Sequence, residues 1–187
     1  MKNVIHIFGA SGSGTSTLGK YICDKLGYKF MDSDDYFWLP TDPPFTAKRE
    51  QSQRVRLMKR DIEENENAVI SGSIADWGNE LMPQFTLAVR LVTETDVRLE
   101  RLEKREYARF GARIMPGGDM YEEHQRFIKW ASEYDDGGLE MRSRRSHDEW
   151  QKMLSCKLLV LSGEDTSESN LGYILSELKE GDKDEKI

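Results

Sequence analysis

Apolar residues follow two rhythms along the chain. Short apolar blocks at Val4-Ile5-His6-Ile7-Phe8, Tyr28-Lys29-Phe30-Met31, Ala68-Val69-Ile70, Leu87 to Val92 and Cys156 to Leu161 are separated by Gly, Ser and acidic residues. Such bounded runs read as short strands, several buried on both faces. Between them, apolar residues recur every three or four positions. Leu18, Ile22 and Leu26 are stopped by Gly27, Val55, Met58 and Ile62 lie within the charged stretch from Thr46 to Glu64, and Ile128 and Ala131 mark a later segment. These are amphipathic helices. Thr93-x-x-Asp96, Asp119-x-x-Glu122 and Asp165-x-x-Glu168 resemble capping boxes opening three of them. Pro40, Pro43 and Pro44 forbid regular structure until about Phe45. Strand and helix alternate, which predicts a three-layer α/β domain, a parallel sheet of about five strands with helices on both faces.

The chain has 187 residues, and at roughly 100–200 residues per domain that predicts one domain. It spans 1–180, ahead of a charged and frayed tail at 181–187. The longest clean apolar run, Leu158 to Leu161, is far below the roughly 18 residues of a membrane span. The amino terminus enters a strand rather than a signal peptide. Cys23 and Cys156 form no CxxC, which argues against a disulfide framework or zinc knuckle and for a cytoplasmic protein. The net charge of −7 argues against broad nucleic-acid binding, which needs a basic face.

Between the first strand and first helix stands Gly9-Ala10-Ser11-Gly12-Ser13-Gly14-Thr15-Ser16-Thr17. In that setting G-x-x-x-x-G-K-[ST] cradles nucleotide phosphates. Its glycines turn backbone N–H groups inward and the helix end adds a positive dipole. Ser16 holds the place whose hydroxyl binds magnesium, and Thr15 stands where the pattern has lysine. A bare Gly/Ser turn is the plainer alternative.

The loop, the acids after the second strand and a later Arg-rich helix together resemble the small P-loop kinases. The likeness is strongest to the shikimate and gluconate kinase branch, with nucleoside monophosphate kinases as relatives. The resemblance implies a P-loop NTPase fold, ATP and Mg2+ as cofactors, and a small-molecule acceptor. It also implies that Asp32 supports the metal while Asp34 orients or deprotonates the acceptor hydroxyl; as ordinary turn residues, Asp32-Ser33-Asp34-Asp35 could also be a cap. By the same resemblance about 33–66 is the acceptor lobe, with Arg54 and Arg56 for an anionic substrate and Gly72 approaching the acceptor. Tyr36, Phe37, Trp38 and Phe45 are its walls or simply core.

Arg98, Arg101, Arg105 and Arg109 share one helical face. Arg101 and Arg105 have no acid three or four residues away. A self-repelling stripe points to an external anion or to acids elsewhere in the fold. It leads into Pro116-Gly117-Gly118 as lid arginines do in the kinases the chain resembles; that resemblance implies a lid at about 105–120, with Arg101 and Arg105 on the helix leading into it supplying the charge missing at Thr15. Lys20 is expected to point away from the loop. Arg142, Arg144 and Arg145 are either lid-adjacent or solvated. His6, His124 and His147 lack metal-ligand spacing, and His6 reads as a core residue. The reading is phosphoryl transfer to a hydroxylated metabolite or a nucleoside monophosphate. Its rival is a nucleotide-binding protein with little turnover, acting as a sensor or partner module.

Overall fold

Val4–Gly9 (β1) is buried along its whole length and lies at the middle of a five-stranded sheet. Lys29–Asp32 (β2) and Ala68–Ser71 (β3) extend it on one side, Leu87–Val92 (β4) and Lys157–Ser162 (β5) on the other, in the order β2-β3-β1-β4-β5. All neighbours are parallel, with Ile5 opposite both Val69 and Leu87. The helices are Thr15–Leu26 (α1), Ser33–Phe37 (α2), Gln51–Glu64 (α3), Thr95–Phe110 (α4), Tyr121–Ser132 (α5), Arg144–Gln151 (α6) and Ser167–Asp184 (α7). This is a computed structural model, and it describes residues 2–184. The last helix runs through 181–184, so that much of the expected frayed tail is helical, and 185–187 lie outside the described residues.

The two faces of β1 explain the layers. Val4 and Phe8 point into one core with Met58 and Ile62 of α3 and Trp150 of α6, while Ile5 and Ile7 meet Leu18 and Ile22 of α1 and Ile174 of α7. A strand apolar on both faces therefore needs a helix layer on each. No described helix is long and apolar enough to cross a membrane.

Several helix starts differ from expectation. Thr93 does not cap α4; its hydroxyl donates to the Ser13 carbonyl, and the helix begins at Thr95. Asp119 pairs with Arg113 at 2.7 Å rather than capping α5. Thr166, not Asp165, accepts the Ser169 N–H at the head of α7. A complete capping box does occur, unforeseen, at α6: Ser143 accepts from the Ser146 N–H and Ser146 accepts from the Ser143 N–H. Thr93 and Asp119 each found a partner outside the helix that competes with the local cap.

The sheet places the tips of β1, β2 and β3 together. Because later strands add on the opposite side of β1, the loop after it sits where the strand order reverses. Open α/β sheets bind ligands at that crevice.

Candidate active site

The loop between β1 and α1 takes its shape from glycine. Gly12 and Gly14 have φ of 83° and 101°, values L side chains rarely adopt. A Cβ on Gly12 would lie 2.6 Å from the Arg98 carbonyl oxygen. A Cβ on Gly14 would instead make only ordinary contacts, 3.8 Å from the Gly163 oxygen and 4.0 Å from Arg101 Nη1. Gly14 is the N-cap of α1, with no side-chain cap and no acid in the first turn, so the helix-end N–H groups are left to a ligand. Ser13 Oγ is buried and without a hydrogen-bond partner. A cavity of ≈ 580 Å³ opens here, lined by Gly14, Thr15, Arg101, Arg105, Gly163 and Thr166 among others. The cavity beside Gly14 fits a phosphate chain. Lys20 lies over the Phe30 ring, 5.5 Å from its centroid, and is not among the cavity residues.

One turn into the cavity, Ser16 donates to Asp32 Oδ2 at 3.2 Å and receives a 3.3 Å bond from the Ser71 hydroxyl. The other oxygen of Asp32 accepts the Asp34 N–H at 3.1 Å and so caps α2. Among the described residues no group of three or more His, Cys, Asp or Glu could hold a metal. A single hydroxyl–carboxylate pair fits Mg2+, which keeps most of its waters and takes further oxygens from phosphates.

Asp34 follows Asp32 by half a helical turn, exposed in the first turn of α2. Its side chain reaches solvent but is crowded by protein, and that burial, the largest cause, pushes its pKa up. Arg142 opposes the rise, Asp32 adds to it, Arg105 opposes it and Asp35 adds to it. Among the described residues Arg142 makes no hydrogen bond or ion pair; its guanidinium lies 5.4 Å from the Trp130 ring centroid. Burial lowers its pKa, opposed by the charges of Asp34, Tyr134 and Asp76. Asp76 has a φ of 71°, uncommon for a residue with a Cβ. An arginine with no hydrogen-bond partner, whose charge acts on a carboxyl of raised pKa, can hold an anionic group while the carboxylate accepts a proton.

The other expected substrate residues have different surroundings. The Arg54 guanidinium stacks 3.8 Å from the Phe37 ring centroid and 5.9 Å from that of Trp77, while Nε donates to the Arg49 carbonyl at 2.6 Å. It packs α3 against α2 instead of standing free for an anion. Arg56 is exposed on α3 and makes no contact recorded with the cleft. Gly72 has a φ of 95°, and a Cβ there would collide with Ser33 Oγ. Its requirement is room for α2 against the tip of β3. Trp38 packs edge-to-face against both Phe37 and Phe45.

The arginine stripe divides. Arg98 is fully buried and donates to the carbonyls of Thr93, Ser11 and Ala131 and to Asp135 at 3.1 Å. It is a strut that ties α4 to the glycine loop. Arg101 Nη1 donates to the Gly163 carbonyl at 2.9 Å, and Arg105 donates to Glu106 through Nε and Nη2 at 3.0 and 2.8 Å. Arg105 does have an acid, one residue on, where helical spacing gave no reason to look. Arg109 covers Phe45 at 4.9 Å, and Arg113 bridges Asp119 to Asp42 at 2.9 Å. The segment around 109–120 thus rests against the 38–48 segment.

The sequence model of the family described as "AAA domain" matches residues 5–124. The chain belongs to the AAA-domain family. The uncharacterized protein YqaC of Bacillus subtilis (strain 168) is 41% identical over 178 residues, covering 95% of this chain and 98% of that one. Cytidylate kinase of Archaeoglobus fulgidus is 28% identical over 113 residues, 54% of this chain and 61% of that one. Among solved structures, shikimate kinase from Bacteroides thetaiotaomicron superposes with a TM-score of 0.57 at 20% identity, covering 95% of this chain and 98% of that one. The small P-loop kinase fold expected from the glycine loop is the fold of this AAA-domain protein.

Sequence reasoning left three parts of this AAA-domain site unassigned. Arg142 carried no signal beyond a basic run, and only folding brings its charge within reach of Asp34. Ser71 is a small polar strand end that becomes visible through its bond to Ser16. Gly163 could have been found: it follows a strand and precedes a helix, and a Cβ there would collide with the Ser13 carbonyl and the Thr93 hydroxyl.

Proposed function

We propose that the protein is an ATP- and Mg2+-dependent phosphotransferase acting on a small hydroxylated, anionic molecule in the cytoplasm. In this reading one domain, 1–180, carries an acceptor lobe at 33–66 and a lid at 105–120. Gly9, Ser11, Gly12, Ser13, Gly14, Thr15, Ser16 and Thr17 surround the phosphates, and Ser16 with Asp32 holds the metal. The ion, when bound, neutralises phosphate charge as the phosphoryl group moves. Asp34 takes the proton of the acceptor hydroxyl. Arg142 holds the acceptor's anionic group and keeps that hydroxyl against Asp34.

The observation that carries this reading is the division of labour between Asp32 and Asp34. Both oxygens of Asp32 are engaged, one by Ser16 and one by the α2 cap, whereas Asp34 is raised in pKa and feels the charge of Arg142, which among the described residues has no hydrogen-bond or ion-pair partner. Phosphoryl transfer needs a metal-side carboxylate and a separate acceptor-side base, and these residues have those two characters. A hydroxylated metabolite suits this pair better than a nucleoside monophosphate, which is the alternative acceptor.

Thr15 supports a second reading, a nucleotide-binding protein with little turnover. The test is a thermal-shift screen of nucleotides with Mg2+ against hydroxy-acids, sugar acids and nucleoside monophosphates, followed by turnover assays on the hits. A ligand at a hundred times its Kd adds about 2.7 kcal/mol of stability. ATP-Mg stabilisation with phosphorylation of one acceptor supports the kinase reading. Stabilisation with no product from any acceptor supports the second, and no stabilisation by any nucleotide refutes both.

A further inference from the structure

One buried chain of polar side chains takes no part in the chemistry assigned to Asp32 and Asp34. Tyr134, just past α5, places its hydroxyl 2.9 Å from His147 Nδ1, and His147 Nε2, on α6, lies 2.9 Å from the Ser73 hydroxyl beyond the tip of β3. The three residues are 7%, 0% and 5% exposed. A neutral imidazole donates from one nitrogen and accepts at the other. The chain therefore runs in one of two directions, set by which nitrogen carries the hydrogen.

The far end fixes the direction. Burial raises the Tyr134 pKa, and Arg90 of β4 opposes the rise by its charge and by a hydrogen bond to the phenol. A guanidinium can only donate, so the Tyr134 oxygen accepts from Arg90 and its hydrogen goes to His147 Nδ1. In the opposite direction the phenol would accept from both sides, and its own buried hydrogen would have no acceptor among the described residues. Nδ1 therefore accepts, and the Nε2–H donates to Ser73 Oγ. The Ala75 N–H donates to that oxygen as well, at 3.4 Å. A hydroxyl has two lone pairs. Both are taken, and the Ser73 hydrogen has no acceptor among the described residues.

Ser73 stands on the acceptor side of the cleft. It follows Gly72, where a Cβ would collide with Ser33, the residue before Asp34. After burial, the charge of Arg142 is the largest influence on its partner His147, and the same charge reaches Asp34. Resting on the acceptor reading above, we propose that Ser73 is a binding residue for the acceptor. Its O–H donates to an oxygen of the anionic group that Arg142 holds, and His147 and Tyr134 are positioning residues that keep this hydrogen from being spent on the protein.

Two measurements test this. Long-range proton–nitrogen correlation spectra of protein carrying isotope-labelled histidine give the tautomer of each ring near neutral pH, with His147→Gln identifying the His147 signals. The expected ring is protonated at Nε2 and bare at Nδ1. A His147 ring protonated at Nδ1 overturns the assignment before any ligand is added. Tyr134→Phe removes the donor that locks the ring, and the two tautomers are expected to mix. The second measurement is calorimetric titration with the hydroxy-acid, sugar acid or nucleoside monophosphate that stabilises the wild type in the thermal-shift screen, beside ATP-Mg. Ser73→Ala raises the Kd of that acceptor by roughly ten- to a hundredfold, the loss of one hydrogen bond to a charged group, and leaves that of ATP-Mg unchanged. Tyr134→Phe raises it less, because only part of the ring population then takes the Ser73 hydrogen. A purely structural role would move both ligands together and leave the tautomer alone. If Ser73→Ala unfolds because the His147 Nε2–H is stranded, Ser73→Cys, whose sulfur still accepts weakly and whose S–H is a poor donor, replaces it with the same expectation. A folded Ser73 variant with the wild-type acceptor affinity overturns the binding role, as does an equal loss for ATP-Mg. Wild-type protein that responds to no acceptor in the screen overturns the acceptor reading and the role of Ser73 with it, while the tautomer is decided by the spectrum alone.

Discussion

Ser16, at the start of α1, donates its hydroxyl proton to Asp32 at the end of β2 across 3.2 Å, so two residues sixteen apart in the chain form one oxygen pair at the floor of the cleft. Parallel pairing of β2 with β3, and β3 with β1, makes this possible, because it brings all three strand tips to one edge.

That pair should govern metal dependence. Ser16→Ala and Asp32→Asn are each expected to leave ATP affinity in EDTA nearly unchanged and to remove most of the gain produced by Mg2+, about tenfold. Asn caps a helix about as well as Asp, so Asp32→Asn keeps α2. Titration of ATP with and without Mg2+ checks this, and an unchanged Mg2+ gain in both variants would return Ser16 and Asp32 to structural roles.

Asp34 should show opposite signs in activity and stability. As a base it contributes about a hundred- to ten-thousandfold, so Asp34→Asn should lower kcat by that order with the acceptor found in the screen. Because folding raises its carboxyl pKa, the folded state disfavours the charged form. The unfavourable contribution is absent below the ordinary carboxylate pKa and grows as pH rises through and above it. Asp34→Asn should therefore melt above wild type at neutral pH, with the difference shrinking toward pH 3.

Arg54 is expected to behave as packing. Its guanidinium covers Phe37 and donates to the Arg49 carbonyl, so Arg54→Ala should lose roughly 2 kcal/mol. Chemical denaturation measures this directly. Acceptor KM in the folded variant should change less than in Arg142→Ala; a much larger KM effect for Arg54 would restore it as a substrate residue.

Two buried histidines predict acid sensitivity. Burial lowers the His6 pKa to about 4, against the opposing bond between its Nε2 and the Gly72 carbonyl at 2.9 Å. The His147 pKa is lowered to about 3 by burial first and then by Arg142, Arg90 and His6, while its ring nitrogens bond to Ser73 and Tyr134, both at 2.9 Å. The unfolded chain protonates each near pH 6.5, so the stability of the neutral rings is present above that pH. It is lost as pH falls through 6.5 toward 4 and 3, at up to roughly 1.4 kcal/mol per pH unit for each ring. Urea midpoints between pH 7.5 and 5 should fall accordingly, and His147→Gln should flatten the slope.

The sequence by itself determined the elements and the chemistry of the loop. Strand blocks, helical periodicity and glycine spacing depend on neighbours a few residues away, so β1, the glycine loop and the face of Val55, Met58 and Ile62 could all be read before any fold existed. Tertiary structure decided which polar side chains were available. Thr93 and Asp119 had the spacing of caps, yet bonded to Ser13 and Arg113 once those came near. Arg98, Arg101 and Arg105 share one helical face, yet one is a buried strut, one meets the carbonyl of Gly163 and one pairs with Glu106. Arg54 was taken up by aromatic packing, while Arg142, with no distinguishing pattern, came to act by its charge on Asp34. Local pattern reflects backbone geometry, which repeats every two or 3.6 residues. Pairing of charges depends on which distant surfaces meet and how much water they expel, and no period in the chain encodes that.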